Sequence, residues 1–154
     1  MNPLCPPPLP HDTEAALVRA EAHCTTRGTR LTPLRRAILA LILARQGVVK
    51  AYDLLADLQA QRGKADPPTV YRALAFLVAQ GLIHRVETLN AYVVCCQLGH
   101  THASVLLLCE RCQSIAELSA EAELNGLFAA AQGCAFQPRR QEVLLTGLCQ
   151  ACAA

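Results

Sequence analysis

Four of the nine cysteines in this 154-residue chain form two matched pairs. Cys109-Glu110-Arg111-Cys112 and Cys149-Gln150-Ala151-Cys152 each put two thiols on one tight turn. Two such turns supply the four thiolates of a closed tetrahedral zinc site, which is structural because no coordination position stays open. The 36 residues between the pairs exceed the gap of a simple zinc ribbon. They suffice for a strand, a helix and a strand, so the metal would tie one end of a small unit to the other. A second chemistry open to the same thiols is redox. A redox CxxC belongs in a thioredoxin-like βαβ setting, whereas Cys109 ends a strand pattern and Cys152 lies two residues from the end of the sequence.

Further ligand types are scattered between residues 84 and 117. His84 and Cys95 stand on two neighbouring strand patterns, His100 and His102 in a short connecting run, and Glu117 five residues beyond the first CxxC. Together they would make a mixed nitrogen, sulfur and oxygen zinc site. Taken singly, a histidine on a strand is as readily a packed core residue, and spacing alone leaves both readings open. Cys5, Cys24 and Cys134 fit no ligand pattern, whereas Cys96 and His100 stand beside candidate ligands as substitutes for them. The deaminase pairing of HxE with PCxxC is missing, as are HExxH, GxSxG and the Walker A loop, so no enzyme motif is present.

The elements that position these residues follow from periodicity and punctuation. Residues 1–12 are proline-rich and are expected to be disordered. A helix starts near Thr13 and ends at about Arg27, before Gly28. Thr32-Pro33 opens a second helix with Thr32 as N-cap, and Gly47 closes it. A third runs from Ala51 to Arg62. Asp66-Pro67-Pro68-Thr69 begins a fourth, which buries Val70, Ala73, Leu74, Leu77 and Val78 and stops at Gly81. Its other face carries Thr69, Arg72, Ala75 and Ala79, with Tyr71 on the flank. Small residues around one arginine suit close approach to another surface. Two β-rich runs, 82–87 and 91–95, read as a hairpin. Helices followed by a trailing hairpin make a winged helix-turn-helix, whose last helix before the wing enters the DNA major groove.

Residues 97–103 read as a hinge. Beyond it, strands at 104–108 and 114–118, a helix over 119–132 with Ser119 as N-cap, and strands at 134–136 and 142–146 form a unit too small for a confident core of its own. The fold class is therefore α+β. An N-terminal winged helix-turn-helix spans 13–96, and a small zinc-binding α/β domain spans 104–154.

Charge supports this division. Residues 1–94 carry eleven Lys/Arg and seven Asp/Glu, net +4, whereas 95–154 carry three and five, net −2. From Arg27 to Lys50 there are six basic residues and no acid, as expected of a nucleic-acid surface. The composition, 53% apolar and 17% charged, excludes wholesale disorder. The longest apolar run, 37–44, is far short of a bilayer span, and no secretory signal is visible. A cytoplasmic protein with reduced thiols is expected.

The order of these pieces resembles the ferric-uptake-regulator family of bacterial metal-sensing repressors. The resemblance rests on Arg30-Leu31-Thr32-Pro33 with Arg35-Arg36, Ala51-Tyr52-Asp53-Leu54-Leu55, Pro68-Thr69-Val70-Tyr71-Arg72-Ala73-Leu74, the hairpin and the two CxxC pairs. Within the family the chain is most similar to the zinc-sensing branch, because Cys95 offers a thiolate where the hairpin gives a ligand. The resemblance implies two zinc ions per chain. Cys109, Cys112, Cys149 and Cys152 would hold the structural ion, and His84, Cys95, His102 and Glu117 the regulatory ion. It implies a homodimer acting on double-stranded operator DNA, an AT-rich inverted repeat near zinc-uptake genes, with no small-molecule substrate and no membrane partner. Tyr71 and Arg72 would read bases, while Arg30, Arg36, Tyr52 and Thr69 would meet the backbone. A family member sensing another metal or peroxide, or a zinc-stapled protein-interaction adaptor, are the alternatives.

Overall fold

Proline at the first helical position and a side-chain oxygen just before it set the two best-defined helix starts. A computed structural model describes residues 4–5, 13–45, 47–98, 104–138 and 143–153. Helices α1 (Thr13–Thr26) and α2 (Pro33–Ala44) come first. Thr32 caps α2 by accepting from the Arg35 amide. Strand β2 (Val49–Lys50) leads directly into α3 (Ala51–Arg62), and α4 (Pro67–Ala79) follows. Asp66 caps α4, accepting from the Thr69 amide at 3.1 Å. Gly63 stops α3 at φ 75°, a left-handed conformation that a Cβ would strain.

The hairpin consists of β3 (Ile83–Val86), a 3-10 turn (Glu87–Leu89) and β4 (Ala91–Val94), with Asn90 left-handed at φ 45°. The register pairs Ile83 with Val94 and His84 with Val93. β2 adds a third strand on the other side of β4. Sequence reading missed it because two residues are too few for an alternating pattern, although the β-branched Val48-Val49 after Gly47 carried the signal. The core of this unit holds Ile38, Leu39, Ile42, Leu54, Leu58, Val70, Leu74 and Leu77, all essentially inaccessible. In α4, Val70, Ala73, Leu74 and Leu77 are buried as expected, while Val78 is only half-buried.

The chain divides into two units, residues 7–100 and residues 1–6 with 101–154. Two expectations change here. Leu4 and Cys5, placed by their prolines in a disordered stretch, form strand β1 against β6 (Ile115–Ser119), with Cys5 opposite Glu117. Leu98, assigned to the hinge, is buried in the winged-helix core. The rest of the first twelve residues and 99–103 lie outside the described residues.

In the second unit, β5 (Ser104–Cys109) is central. It pairs antiparallel with β6 and parallel with β7 (Leu144–Gly147), in the sheet order β1-β6-β5-β7. Helix α5 (Glu121–Gly133) covers Val105 with Leu124, and the short α6 (Gln150–Ala153) closes the chain. Ser119 proves to be the last residue of β6 rather than an N-cap, and Ala120 precedes α5 without a side-chain cap bond. The strand expected at 134–136 is instead a helix-ending turn. Ala135 there has φ 58°, and the Phe136 amide returns to the Ala131 carbonyl, so orphan carbonyls of α5 hold the segment.

Candidate metal centres and nucleic-acid interface

Strand β5 delivers Cys109 to the rim of the sheet. The β5–β6 turn then folds back through Gln113, left-handed at φ 59°, and carries Cys112 beside it. Parallel pairing with β5 brings β7 to the same rim, so Cys149 arrives just before α6 and Cys152 within it. One backbone and one side-chain hydrogen bond hold this meeting. The Glu110 amide donates to the Gly147 carbonyl at 2.8 Å, and the Arg111 guanidinium donates to the Cys152 carbonyl at 2.7 Å.

All four sulfurs lie within 4.8 Å of one another. A tetrahedral zinc with bonds of about 2.3 Å separates its sulfurs by about 3.8 Å. Cys112 and Cys149 are 3.8 Å apart, and the donor set fits the ion. The protons of this cluster are unevenly held. The backbone amides of Cys112 and then Cys149 hold the Cys109 thiol down at about 6. The Ser114 hydroxyl lowers Cys112. The bond to Cys149 and the neighbouring sulfurs push Cys152 up to about 12. At neutral pH Cys109 is therefore a thiolate and Cys152 a thiol. Loading zinc must expel at least the Cys152 proton, so apparent affinity rises with pH. We expect about tenfold per pH unit or more between pH 7 and 8, measured by competition with a chromogenic chelator. A flat profile would contradict a four-thiolate site.

On the wing, the Cys95 amide donates to the Leu82 carbonyl and extends the β3–β4 register by one pair. Since His84 opposes Val93, Cys95 is its diagonal neighbour on the same face of the hairpin. A His84 ring nitrogen and the Cys95 sulfur lie within 4.8 Å. Cys95 is buried and His84 half-buried. Glu117, on β6 of the other unit, is 4% exposed and is the only charged side chain buried among the described residues. His100 and His102 lie outside the described residues. Cys24 is buried in the winged-helix core and its thiol is raised by that burial, while His23 bonds to the Gln80 carbonyl at 2.9 Å. Both are thereby given structural work.

The face of α4 away from the core presents Tyr71 at 47% exposure and an exposed Arg72, followed along the helix by exposed Ala75 and Ala79. The small side chains leave these two the most prominent groups on the helix. Tyr52, at 77% exposure near the start of α3, is the most exposed large apolar residue described. Arg30 is exposed and Thr69 half-buried. Arg36 sits differently from a free phosphate ligand, because it is ion-paired with Glu14 of α1 at 2.6 Å. Arg35, which was given no contact role from sequence, lies 3.5 Å over the Phe76 ring, a cation–π contact joining α2 to α4.

A winged helix-turn-helix with a presented helix, joined to a four-cysteine α/β unit, defines a metal-stapled protein of the DNA-binding class. The ferric uptake regulator family model matches residues 26–135, and the chain belongs to that family. It is 40% identical over 141 residues to the zinc uptake regulation protein of Escherichia coli K12, covering 91% of this chain and 82% of that protein. Among solved structures, a zinc uptake regulator complexed with zinc and DNA matches with a TM-score of 0.86 at 40% identity. That match covers 92% of this chain and 95% of the other. Holo XcZur matches at 0.82 and 40% identity, covering 94% and 99%. No described helix is long and apolar enough to cross a membrane.

Proposed function

We propose that this protein is a cytoplasmic zinc-responsive repressor that binds operator DNA as a zinc-loaded dimer and controls zinc-uptake genes. The observation that carries this reading is the imidazole and thiol held together on the wing, which follows directly in the chain after the helix that presents Tyr71 and Arg72. A thiolate in the set favours zinc over iron or manganese. Two relatives of similar sequence support it, the E. coli zinc uptake regulation protein and the regulator complexed with zinc and DNA.

Each chain takes two zinc ions in this reading. Cys109, Cys112, Cys149 and Cys152 keep the structural ion. His84 and Cys95 from the wing, His102 from the connecting segment and Glu117 from β6 take the regulatory ion. A metal that draws ligands from both units selects one arrangement of them, which is how occupancy becomes DNA affinity. The outer edge of β7 pairs with no strand among the described residues. It carries exposed Leu145, with Leu148 exposed just beyond, so a second copy gains an apolar seam by docking there. The dimer then offers two α4 helices to the half-sites of an AT-rich inverted repeat.

Arg72 pairs with a guanine edge, Tyr71 packs on a thymine methyl or meets phosphate, and Arg30, Tyr52 and Thr69 follow the backbone, which Arg36 joins only by giving up its ion pair with Glu14. Selection of duplexes from a randomised library by zinc-loaded protein tests the reading. Arg72→Ala should cost about 1–3 kcal/mol on the selected duplex and relax the preference at one base pair. Uniform weakening on every duplex would place Arg72 on the backbone. Failure to select any sequence would leave a zinc-stapled adaptor.

A further inference from the structure

The N-cap of α4 does more than cap. Asp66 accepts from the Thr69 amide at 3.1 Å, which is all that helix capping requires. The same carboxylate oxygen also accepts the Thr69 hydroxyl proton at 2.7 Å. That leaves the Thr69 oxygen turned as an acceptor, and it receives the Arg72 guanidinium at 3.4 Å. The Arg72 Nε–H donates to the Pro68 carbonyl at 3.3 Å, so two of its nitrogens are tethered to the first turn of α4. The relay has one consistent direction, Arg72 to Thr69 to Asp66. The Thr69 bonds hold the Asp66 carboxyl below its ordinary range, so its acceptor end is ionised at neutral pH.

We propose that Asp66 is a specificity-determining positioning residue, which acts on base recognition through Thr69 and Arg72 and makes no contact with DNA itself. An acid beside a helix end that meets phosphate opposes raw DNA affinity, and the relay gives it a use there beyond the cap. Fixing a long arginine beforehand improves discrimination, because less rotamer freedom is lost when its guanidinium meets a base edge. The inference rests on the proposal that α4 reads DNA.

The test uses the full zinc-loaded chain, the duplex it selects from a randomised library, and single-base variants of that duplex. Asp66→Gly removes the carboxylate while keeping a residue well tolerated at an N-cap. It should lower discrimination roughly threefold to tenfold at the base pair where Arg72→Ala also lowers it. Asp66→Asn, which keeps both acceptor contacts, should restore most of that loss. In an Arg72→Ala background Asp66→Gly should add nothing. Thr69→Val, which breaks the relay and leaves the amide cap, should show the same base-specific loss on top of the uniform weakening that follows from losing its own backbone contact. Equal changes on all duplexes, in either direction, would make Asp66 a plain electrostatic or capping residue and overturn the proposal. Persistence of the effect without Arg72 would overturn it too. If the wild-type chain selects no sequence, the DNA-binding reading fails first and takes the proposal with it.

Discussion

Cys109→Ser is expected to empty the structural zinc site and to unfold the C-terminal unit with it. The apolar core there is slight. Val105, Leu106, Leu108, Ile115, Ala120 and Leu124 are the buried aliphatic residues among those described, with Leu107, Leu118 and Val143 only partly so. Leu127, Phe136, Leu145 and Leu148 all stand more than half exposed. Such a unit cannot offset the conformational entropy of its own ordering. The four thiolates supply what is lacking by joining the β5–β6 turn to α6, and structural zinc contributes on the order of 10 kcal/mol in small zinc-folded peptides. A serine hydroxyl nearly matches the thiol in size but does not ionise near neutral pH, so the variant keeps the packing and loses the ligand. Metal analysis should show one zinc fewer per chain. Amide exchange should show β5, β6 and β7 unprotected while α2 and α4 keep their protection. A Cys109→Ser protein that retains its zinc and a protected β5 would remove these four cysteines from the structural role.

His84→Ala and Cys95→Ser are expected to separate sensing from folding. Both residues sit on one face of a hairpin whose register is held by Ile83, Val94 and the Leu82–Cys95 bond. Losing one ligand should therefore leave the wing folded. The four-cysteine site is built on other elements and should keep its ion. What disappears is the ligand that favours the DNA-binding arrangement, so operator affinity in zinc should fall about 100-fold, the upper part of the usual range for coupled sites. Zinc per chain should fall by one, with the melting temperature of the four-cysteine unit unchanged. Variants that still bind operator in a zinc-dependent way would move the sensor elsewhere on the chain.

Legibility followed the physics of each signal. Where one residue type enforces one local structure, the sequence sufficed. Thr32-Pro33 and Asp66-Pro67 set the starts of α2 and α4, and Gly63 the stop of α3. The CxxC pairs were equally plain, because two thiols two residues apart have few other uses. Features made by pairing across long sequence distances were not. β1 and β2 are two residues each and exist only through partners on β6 and β4. The turn at 134–136 contains Phe136 and Cys134, which suggested a strand, yet the carbonyls of α5 decide its path. Among site residues, the ion pair that occupies Arg36 and the relay ending on Asp66 are contacts between side chains, and periodicity carries no trace of either. His84 with Cys95 lies between these cases. The types were suggestive, and the register of the hairpin brings them together.

In the function proposed here, zinc occupancy of the wing site controls DNA binding. The most direct test of that control is a titration of zinc into protein already holding one ion per chain, with the selected duplex present and bound zinc and bound DNA followed together. DNA binding should rise only as the second zinc loads, saturating at two per chain, and His84→Ala should stay at one zinc without binding. DNA binding already complete at one zinc per chain would contradict that control, as would full loading to two without any gain in affinity.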